Sequence, residues 1–335
     1  MKPTCSIVIR AFNEEAHIGR LLEGIHHQSV KDVQIIVVDS GSTDQTVEIA
    51  HRDGAEVVHI NPRDFTFGRS LNLGVSYAKA DIVVIASAHV YPVYPDWLER
   101  LLEPFKDRDT AMTYGKQRGP EMSQFSENQI FTHWYPDESQ LNQRHPFCNN
   151  ANAAIRRSIW EKQPYDENLP ALEDLAWAKW ALENGYKLSY VAEAEIIHVH
   201  NESSRGIFNR YRREGMAFKQ IYPHEHFRIS DVVRLLVTNV ISDTKVAIRE
   251  RVFFRQIYKI MDFRWNQFCG TYQGYRQSGP LTWQLKRSFY YPRSIALQSE
   301  NNHKAREVPP ITYSQTLGRP DQKIGNSAGG KNEGQ

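Results

Sequence analysis

Cysteine is scarce in this chain of 335 residues: three are present, Cys5, Cys148 and Cys269, odd in number and far apart. Without metal-like spacing among them, a disulfide scaffold and a cysteine-ligated metal site are both excluded, and a reduced intracellular chain is expected. Long apolar runs are missing too. None approaches the ~18–20 residues of a membrane helix, and no basic–apolar–small leader precedes the first apolar segment. Net charge is small, 41 basic against 39 acidic residues, which by itself calls for no polyanionic partner. Glycine-rich phosphate loops are absent: no G-x-G-x-x-G follows the first strand pattern and no G-x-x-x-x-G-K-[ST] occurs anywhere, so dinucleotide and P-loop readings fail. What is present is an ordinary globular composition, 40% hydrophobic, 24% charged and 11% aromatic, in a chain long enough for one large domain plus an appendage.

Residues 1–105 alternate strand and helix patterns. Cys5–Phe12 and Val33–Ser40 are nearly continuous β-branched runs, as in strands buried on both faces. Between them Ile18, Leu21, Leu22 and Ile25 form the stripe of a covering helix. Helices are expected over 44–53 and 70–78, strands over 56–60 and 81–87, and Asp96 is expected to cap a helix from Trp97. This order predicts an α/β fold with a mostly parallel sheet. Residues 106–200 continue with a strand at 111–114, an extended 147–155, a helix over 173–184 closed by Gly185, and a strand over 187–200. Residues 201–293 change character: Ser204 to Arg293 holds 17 Lys and Arg against 6 Asp and Glu, leaving 24 against 33 elsewhere. A basic helical appendage beside an acidic body is expected there, then a disordered tail from 294 to 335. No internal repeat is visible.

Ligands of open α/β sheets bind beyond the carboxyl ends of the strands. After the first strand stands Arg10-Ala11-Phe12-Asn13-Glu14-Glu15, after the second Asp39-Ser40-Gly41-Ser42-Thr43-Asp44, after the fourth Ser87-Ala88-His89. Asn13, Glu14, Asp39, Asp44 and His89 are thus expected on one edge. The two aspartates suit a nucleobase edge and ribose hydroxyls, although Asp44 also suits the cap of the next helix.

With Gly68-Arg69-Ser70-Leu71-Asn72 and Glu173-Asp174 added, the order of these motifs resembles family-2 glycosyltransferases of the GT-A fold over about residues 4–200. The resemblance implies a mixed, mostly parallel sheet with a C-terminal helical appendage. Residues 1–105 would form the nucleotide-sugar-binding half and 106–200 the acceptor-binding half. It implicates Arg10, Asn13, Glu14, Asp39 and Asp44 with the nucleotide, Arg69 with the base or diphosphate, and Ser87 and His89 with the donor. It also implies an inverting mechanism in which Asp174 is the general base and Glu173 its support. A helix start that merely complements its dipole is the plainer reading of that acidic pair.

One departure stands out. Similar enzymes carry Asp-x-Asp after the fourth strand to hold a divalent cation, Mn²⁺ or Mg²⁺, and here the tripeptide is Ser87-Ala88-His89. Neutral imidazole and serine suit Mg²⁺ poorly. Two readings stay open: His89 with His200 as metal ligands, or a metal-independent site where cationic side chains offset the leaving charge. His198 and His200 fall on one strand face by alternation. Asn149, Asn150 and Asn152 suit hydroxyl recognition on the acceptor side, but asparagine equally forms turns. Trp134 and Tyr135 are read as core.

The cationic helices over 204–265, with Arg205, Arg210, Arg212, Arg213, Arg249, Arg251, Arg255 and Lys259 among aromatics, suit an anionic membrane surface, a partner, or packing on the body. No nucleic-acid motif accompanies them. The reading is a cytoplasmic transferase, peripheral on the inner membrane face, moving sugar from a nucleotide-sugar to a glycan or lipid-linked acceptor. The alternatives are a catalytically silent nucleotide-sugar or glycan binder, and a sugar nucleotidyltransferase.

Overall fold

The computed structural model describes residues 2–120, 123–200, 202–277 and 308–314. The first half runs β1 (Cys5–Ala11), α1 (Ile18–His26), β2 (Val33–Asp39), α2 (Thr46–Arg52), β3 (Glu56–His59), α3 (Phe67–Ser76) and β4 (Ile82–Ser87). It continues through β5 (Val90–Pro92), α4 (Trp97–Leu102), β6 (Thr110–Arg118), α5 (Phe125–Trp134), β7 (Gln140–Gln143), β8 (Asn152–Arg156), α6 (Arg157–Trp160), α7 (Glu173–Glu183) and β9 (Lys187–His198). Three long helices follow, α8 (Ser204–Ile221), α9 (Ile229–Arg249) and α10 (Phe253–Arg276).

The strands form one mixed sheet in the order β3-β2-β1-β4-β8-β6-β9-β5, with β7 also on β9. β1 to β4 are parallel, as right-handed strand–helix–strand units require. β8 is antiparallel to both β4 and β6, and β9 is parallel to β6. Two antiparallel steps cancel, so the carboxyl end of β9 lies at the same edge as those of β1, β2 and β4. Apolar clusters fill both faces of the sheet, which is why the strands read as continuous apolar runs rather than alternating ones. The α1 stripe of Ile18, Leu21, Leu22 and Ile25 is at most 1% exposed.

Several local expectations shift. α3 starts three residues earlier than the pattern suggests, because the Thr66 side chain accepts from Arg69 N–H and caps it there. Asp96 precedes α4 but makes no cap hydrogen bond; its carboxylate accepts from Arg100 Nε at 3.0 Å instead. β6 runs to Arg118 rather than Tyr114 because β9 pairs with it along its length. Tyr135 is buried as expected, but Trp134 is 47% exposed and stacked on Phe147, centroids 4.6 Å apart.

The basic helices are joined closely to the body. Gly274 lets α10 meet α8, since a Cβ there would lie 2.2 Å from Arg212 O. A buried bidentate pair, Arg264 with Asp243 at 2.8 and 2.9 Å, ties α10 to α9. Arg264 also donates to Ser126 O in α5. The tail expected from 294 to 335 lies mostly outside the described residues. Its segment 308–314 departs from disorder: Ile311 N donates to Val93 O at 2.9 Å, Tyr313 hydroxyl to Pro92 O, and Arg20 lies over the Tyr313 ring.

Candidate functional site

Strand register explains which side chains meet. Arg10 pairs with Ser87 across β1 and β4, and Ala11 with Asp39 across β1 and β2. β5 runs antiparallel to β9 with Val90 opposite His198. His89, one residue earlier, accepts at its carbonyl from Val199 N–H at 3.0 Å. The loop after β4 and the end of β9 are therefore stitched together, and their imidazoles converge. β8 begins at this same edge, with Asn152 opposite Ala86, and so delivers the Asn149–Asn150 turn beside the start of α7.

The acidic pair is enclosed, Glu173 at 4% and Asp174 at 8% exposure. Glu173 Oε1 accepts from Arg10 Nη1 at 3.2 Å and from Asn150 Nδ2 at 3.4 Å. Asp174 accepts from the backbone N–H of Asn150 at 3.0 Å and of Leu175 at 2.8 Å. Burial and the neighbouring Glu173 carboxylate raise Asp174 to about 7, against the lowering by those two N–H groups and Arg10. Leu172, just before the pair, has φ of +56°. A left-handed leucine costs roughly 1–2 kcal/mol, and the strain sits where the chain turns into α7 to present both carboxylates.

Arg10 also lies over the Phe67 ring at 4.6 Å, and Arg213 of α8 over the same ring at 4.7 Å. Phe67 thus lies between two guanidiniums, one at the end of β1 and one in the basic helices. Arg210 of α8 turns inward as well, to Glu127 at 2.7 Å and Glu202 at 2.9 Å. Of the roles left open for residues 204–265, Arg210 and Arg213 take packing on the body.

Each histidine of the cluster has its Nδ1 against a side-chain oxygen, and His200 Nδ1 also lies 3.3 Å from Arg210 Nη1. His89 meets Glu14 Oε1 at 2.7 Å, His198 meets Gln117 Oε1 at 2.8 Å, and His200 meets Glu127 Oε1 at 2.7 Å. His198 Nε2 and His200 Nε2 are 2.9 Å apart. Burial lowers the His198 pKa far below the usual imidazole range, with help from His200, His89 and Arg210. For His89, burial acts downward, but the charge and hydrogen bond of Glu14 win and raise it. One nitrogen from each ring lies within 4.8 Å of the others. The donor set suits a borderline cation, since imidazole nitrogens converge where Mg²⁺ would want carboxylate oxygens. His198 completes the set that the sequence reading confined to His89 and His200. Glu127 and Gln117 escaped it entirely, because single polar residues on α5 and β6 carry no motif.

Other expected site residues act as fasteners here. Asn13, itself at φ +53°, accepts from Thr43 N–H at 2.8 Å and donates its own N–H to Ser42 Oγ at 2.9 Å. Asp44 accepts from Thr46 N–H at 3.0 Å and Glu15 N–H at 3.1 Å, an Asx turn just before Gln45, which takes the N-cap position expected of Asp44. Asp39, 2% exposed, accepts from Gly41 and Ser42 N–H at 3.0 and 3.2 Å, so it too has a local partner. Arg69 pairs with Glu167 at 2.7 Å, beside Asp64, rather than pointing free into the edge. Asn152 corrects the acceptor expectation outright. It is fully buried, takes Trp97 Nε1 at 2.8 Å, and donates to Ala194 O and Lys116 O at 2.8 and 3.2 Å. Asn149 closes its turn by accepting from Ala151 N–H at 2.8 Å, and Asn150 holds the acidic pair. The packing removes Asn152 from hydroxyl recognition, while Asn149 stays partly exposed at the turn.

Residues 6–163 match the family model "Glycosyl transferase family 2". An O-antigen chain rhamnosyltransferase of Salmonella typhimurium is 28% identical over 227 residues, covering 63% of this chain and 71% of that protein. A second, from Salmonella anatum, is 28% identical over 232 residues, covering 64% and 72%. Among solved structures, a mannosyltransferase of Pyrobaculum calidifontis in complex with GDP-Man and Mn²⁺ aligns at TM-score 0.56 and 15% identity, covering 81% of this chain and 86% of that one. Glucosyl-3-phosphoglycerate synthase of Mycobacterium tuberculosis with Mn²⁺, UDP and product aligns at TM-score 0.50 and 19% identity, covering 67% and 81%. Residues 6–163, which supply the strands of this edge, thus carry the family-2 glycosyltransferase pattern within a GT-A-like fold, and the chain is a glycosyltransferase.

Proposed function

We propose that the enzyme is an inverting glycosyltransferase that moves a sugar from a nucleotide-sugar to a hydroxyl of a glycan or lipid-linked glycan, in assembly of a cell-surface polysaccharide. The observation that carries this is the enclosed acidic pair at the start of α7, its Asp174 raised to about 7, on the edge that also holds Arg10 and the imidazoles. Asp174 removes the proton of the acceptor hydroxyl while that oxygen attacks the anomeric carbon. The bond from anomeric carbon to diphosphate breaks in the same in-line step, and the electron pair leaves on the diphosphate, inverting the configuration. A carboxylate near neutrality is suited to this, because it is ionised at working pH yet a competent proton acceptor. Arg10 places positive charge beside the pair, and through Glu173 it sets where Asp174 sits. A divalent cation would be held here by His89, His198 and His200, and it would supply positive charge against the leaving diphosphate.

The acceptor side of the reading rests on the outer helices. Ile229, Val233, Val237, Ile241 and Ile248 on α9, and Phe254, Tyr258, Met261 and Trp265 on α10, are 49–93% exposed. Their spacing puts each set on one helix face. Exposed Arg249, Arg251, Arg255 and Lys259 lie about the turn between these helices. No helix among the described residues is long and apolar enough to cross a membrane. Apolar side chains flanked by basic ones suit peripheral seating on an anionic cytoplasmic leaflet, where a lipid-linked acceptor resides.

The test is nucleotide release from a panel of UDP-, GDP-, dTDP- and CMP-sugars, rhamnosyl donors included, with a membrane extract as acceptor. Release from one donor, lost in Asp174→Asn while donor binding persists, supports the reading. Donor binding without turnover would make the chain a silent binder. No binding of any donor would end the nucleotide-sugar reading.

A further inference from the structure

We propose that His89, His198 and His200 form a three-histidine centre that takes an imidazole-preferring first-row dication (Zn²⁺, Co²⁺ or Ni²⁺) in preference to Mg²⁺. The assignment rests on how the rings are held. Every Nδ1 meets an acceptor oxygen, Glu14, Gln117 or Glu127, at 2.7–2.8 Å, and at His200 this contact is much shorter than the 3.3 Å to Arg210 Nη1. An Nδ1–H donated outward leaves Nε2 as the ring's lone pair, and outward carboxylate or carbonyl partners of this kind orient and strengthen metal-binding imidazoles. The inward arrangement is otherwise unfavourable. His198 Nε2 and His200 Nε2 stand 2.9 Å apart, so two neutral rings with their Nδ1–H bonds kept would oppose lone pair to lone pair.

Charge points the same way. Glu14, Glu127 and Glu202 border the cluster, and Arg210 is the one Lys or Arg within ion-pair reach of any of them among the described residues. Three carboxylates face one paired guanidinium, with Arg10 acting on His89 from farther off, so the surroundings are net acidic and favour a cation. Selectivity follows from the donors. Three nitrogens and no carboxylate suit Zn²⁺, Co²⁺ or Ni²⁺, whereas Mg²⁺ prefers oxygen and retains its water. The alternative occupant is a proton, with His200 as an imidazolium donating to both Glu127 and His198.

The affinity of the site is independent of whether the enzyme turns over a nucleotide-sugar; only its use against a diphosphate rests on the function proposed above. The experiment is a Co²⁺ titration of chelator-treated full-length protein followed by visible absorption, with Zn²⁺ uptake by elemental analysis after equilibrium dialysis. One ion per chain is expected, with ligand-field bands that persist in about a hundredfold excess of Mg²⁺ and vanish on adding Zn²⁺. His89→Ala and His198→Ala should each remove stoichiometric uptake. Glu14→Gln and Glu127→Gln, which keep all three ligands, should weaken it by roughly 10–100-fold. Apo-state melting curves identify any variant that has lost its fold, and His89→Gln replaces one that has. No stoichiometric uptake by the parent, displacement of Co²⁺ by equimolar Mg²⁺, or unchanged affinity in folded histidine variants would overturn the proposal. So would ¹⁵N spectra of the parent showing His200 as an imidazolium in the presence of Zn²⁺.

Discussion

Arg10 Nη1 lies 3.2 Å from Glu173 Oε1, joining the end of β1 to the first residue of α7 across 163 positions of sequence. Both side chains are mostly enclosed, 15% and 5% exposed, and the guanidinium also covers Phe67. Removing one partner leaves the other's charge buried, which typically costs about 3–5 kcal/mol. Arg10→Met should therefore lower the melting temperature and reduce kcat/KM by about two orders of magnitude. Adding Glu173→Leu should restore much of the melting temperature but none of the activity. Recovery of both together would show that the pair is structural alone.

Asp174 sets a pH dependence with opposite signs for activity and stability. Its raised value of about 7 means the base is protonated below neutrality, so kcat/KM should fall about tenfold per pH unit below that limb. For stability, a carboxyl whose folded value lies above its unfolded one favours the fold at low pH, and the benefit is lost as pH rises through about 7. Asp174→Asn should lose roughly 10²–10⁴ in turnover. It should also melt higher than the parent at pH 8 and close to it at pH 5. A flat profile from pH 5 to 8 for the parent would remove Asp174 as the base.

The asparagines of the 149–152 segment should separate by stability rather than by acceptor affinity. Asn152→Ala leaves Trp97 Nε1 and two carbonyl oxygens without partners in a closed interior, and each buried unsatisfied group costs about 1–3 kcal/mol. Asn149→Ala removes one turn hydrogen bond, worth about 0.5–1.5 kcal/mol. Chemical denaturation should resolve the two, with Asn152→Ala the more damaging. An Asn152→Ala protein of parental stability but raised acceptor KM would return this residue to the acceptor site.

The exposed faces of α9 and α10 predict lipid binding. Co-sedimentation with vesicles containing phosphatidylglycerol should fall at high salt, where the basic side chains are screened, and should fall further in the double variant Phe254→Glu, Trp265→Glu. Turnover of a water-soluble acceptor should be unchanged in that variant, since neither residue touches the site edge. Equal sedimentation of parent and variant would assign the face to another partner.

Much of the fold was legible because each strand and helix announces itself locally. The apolar runs of β1, β2 and β4, the α1 stripe and Gly185 after α7, at φ +81°, follow from periodicity and backbone freedom within a few residues. The edge was legible too, since parallel strands fix which loops share an end. Less legible was the state of each side chain there. Asp39 and Asp44 are polar residues after strands whether they face a ligand or close their own turns, and only the N–H groups folded back onto them decide. Arg210 and Arg213 look like part of an outer cationic face until α8 is docked, and then they point at Glu127 and Phe67.

By itself the sequence determined the strand–helix order, the carboxyl-edge location of Arg10, Asp39 and His89, and the placement of Glu173-Asp174 at a helix start, because these depend on local pattern and chain direction. Tertiary structure alone decided that β8 reverses between β4 and β6, that His198 joins His89 and His200, that Glu14, Gln117 and Glu127 stand behind them, and that Asn152 is enclosed. These are contacts between residues tens of positions apart. Their energies come from strand pairing, burial and charge, which no local window of sequence contains.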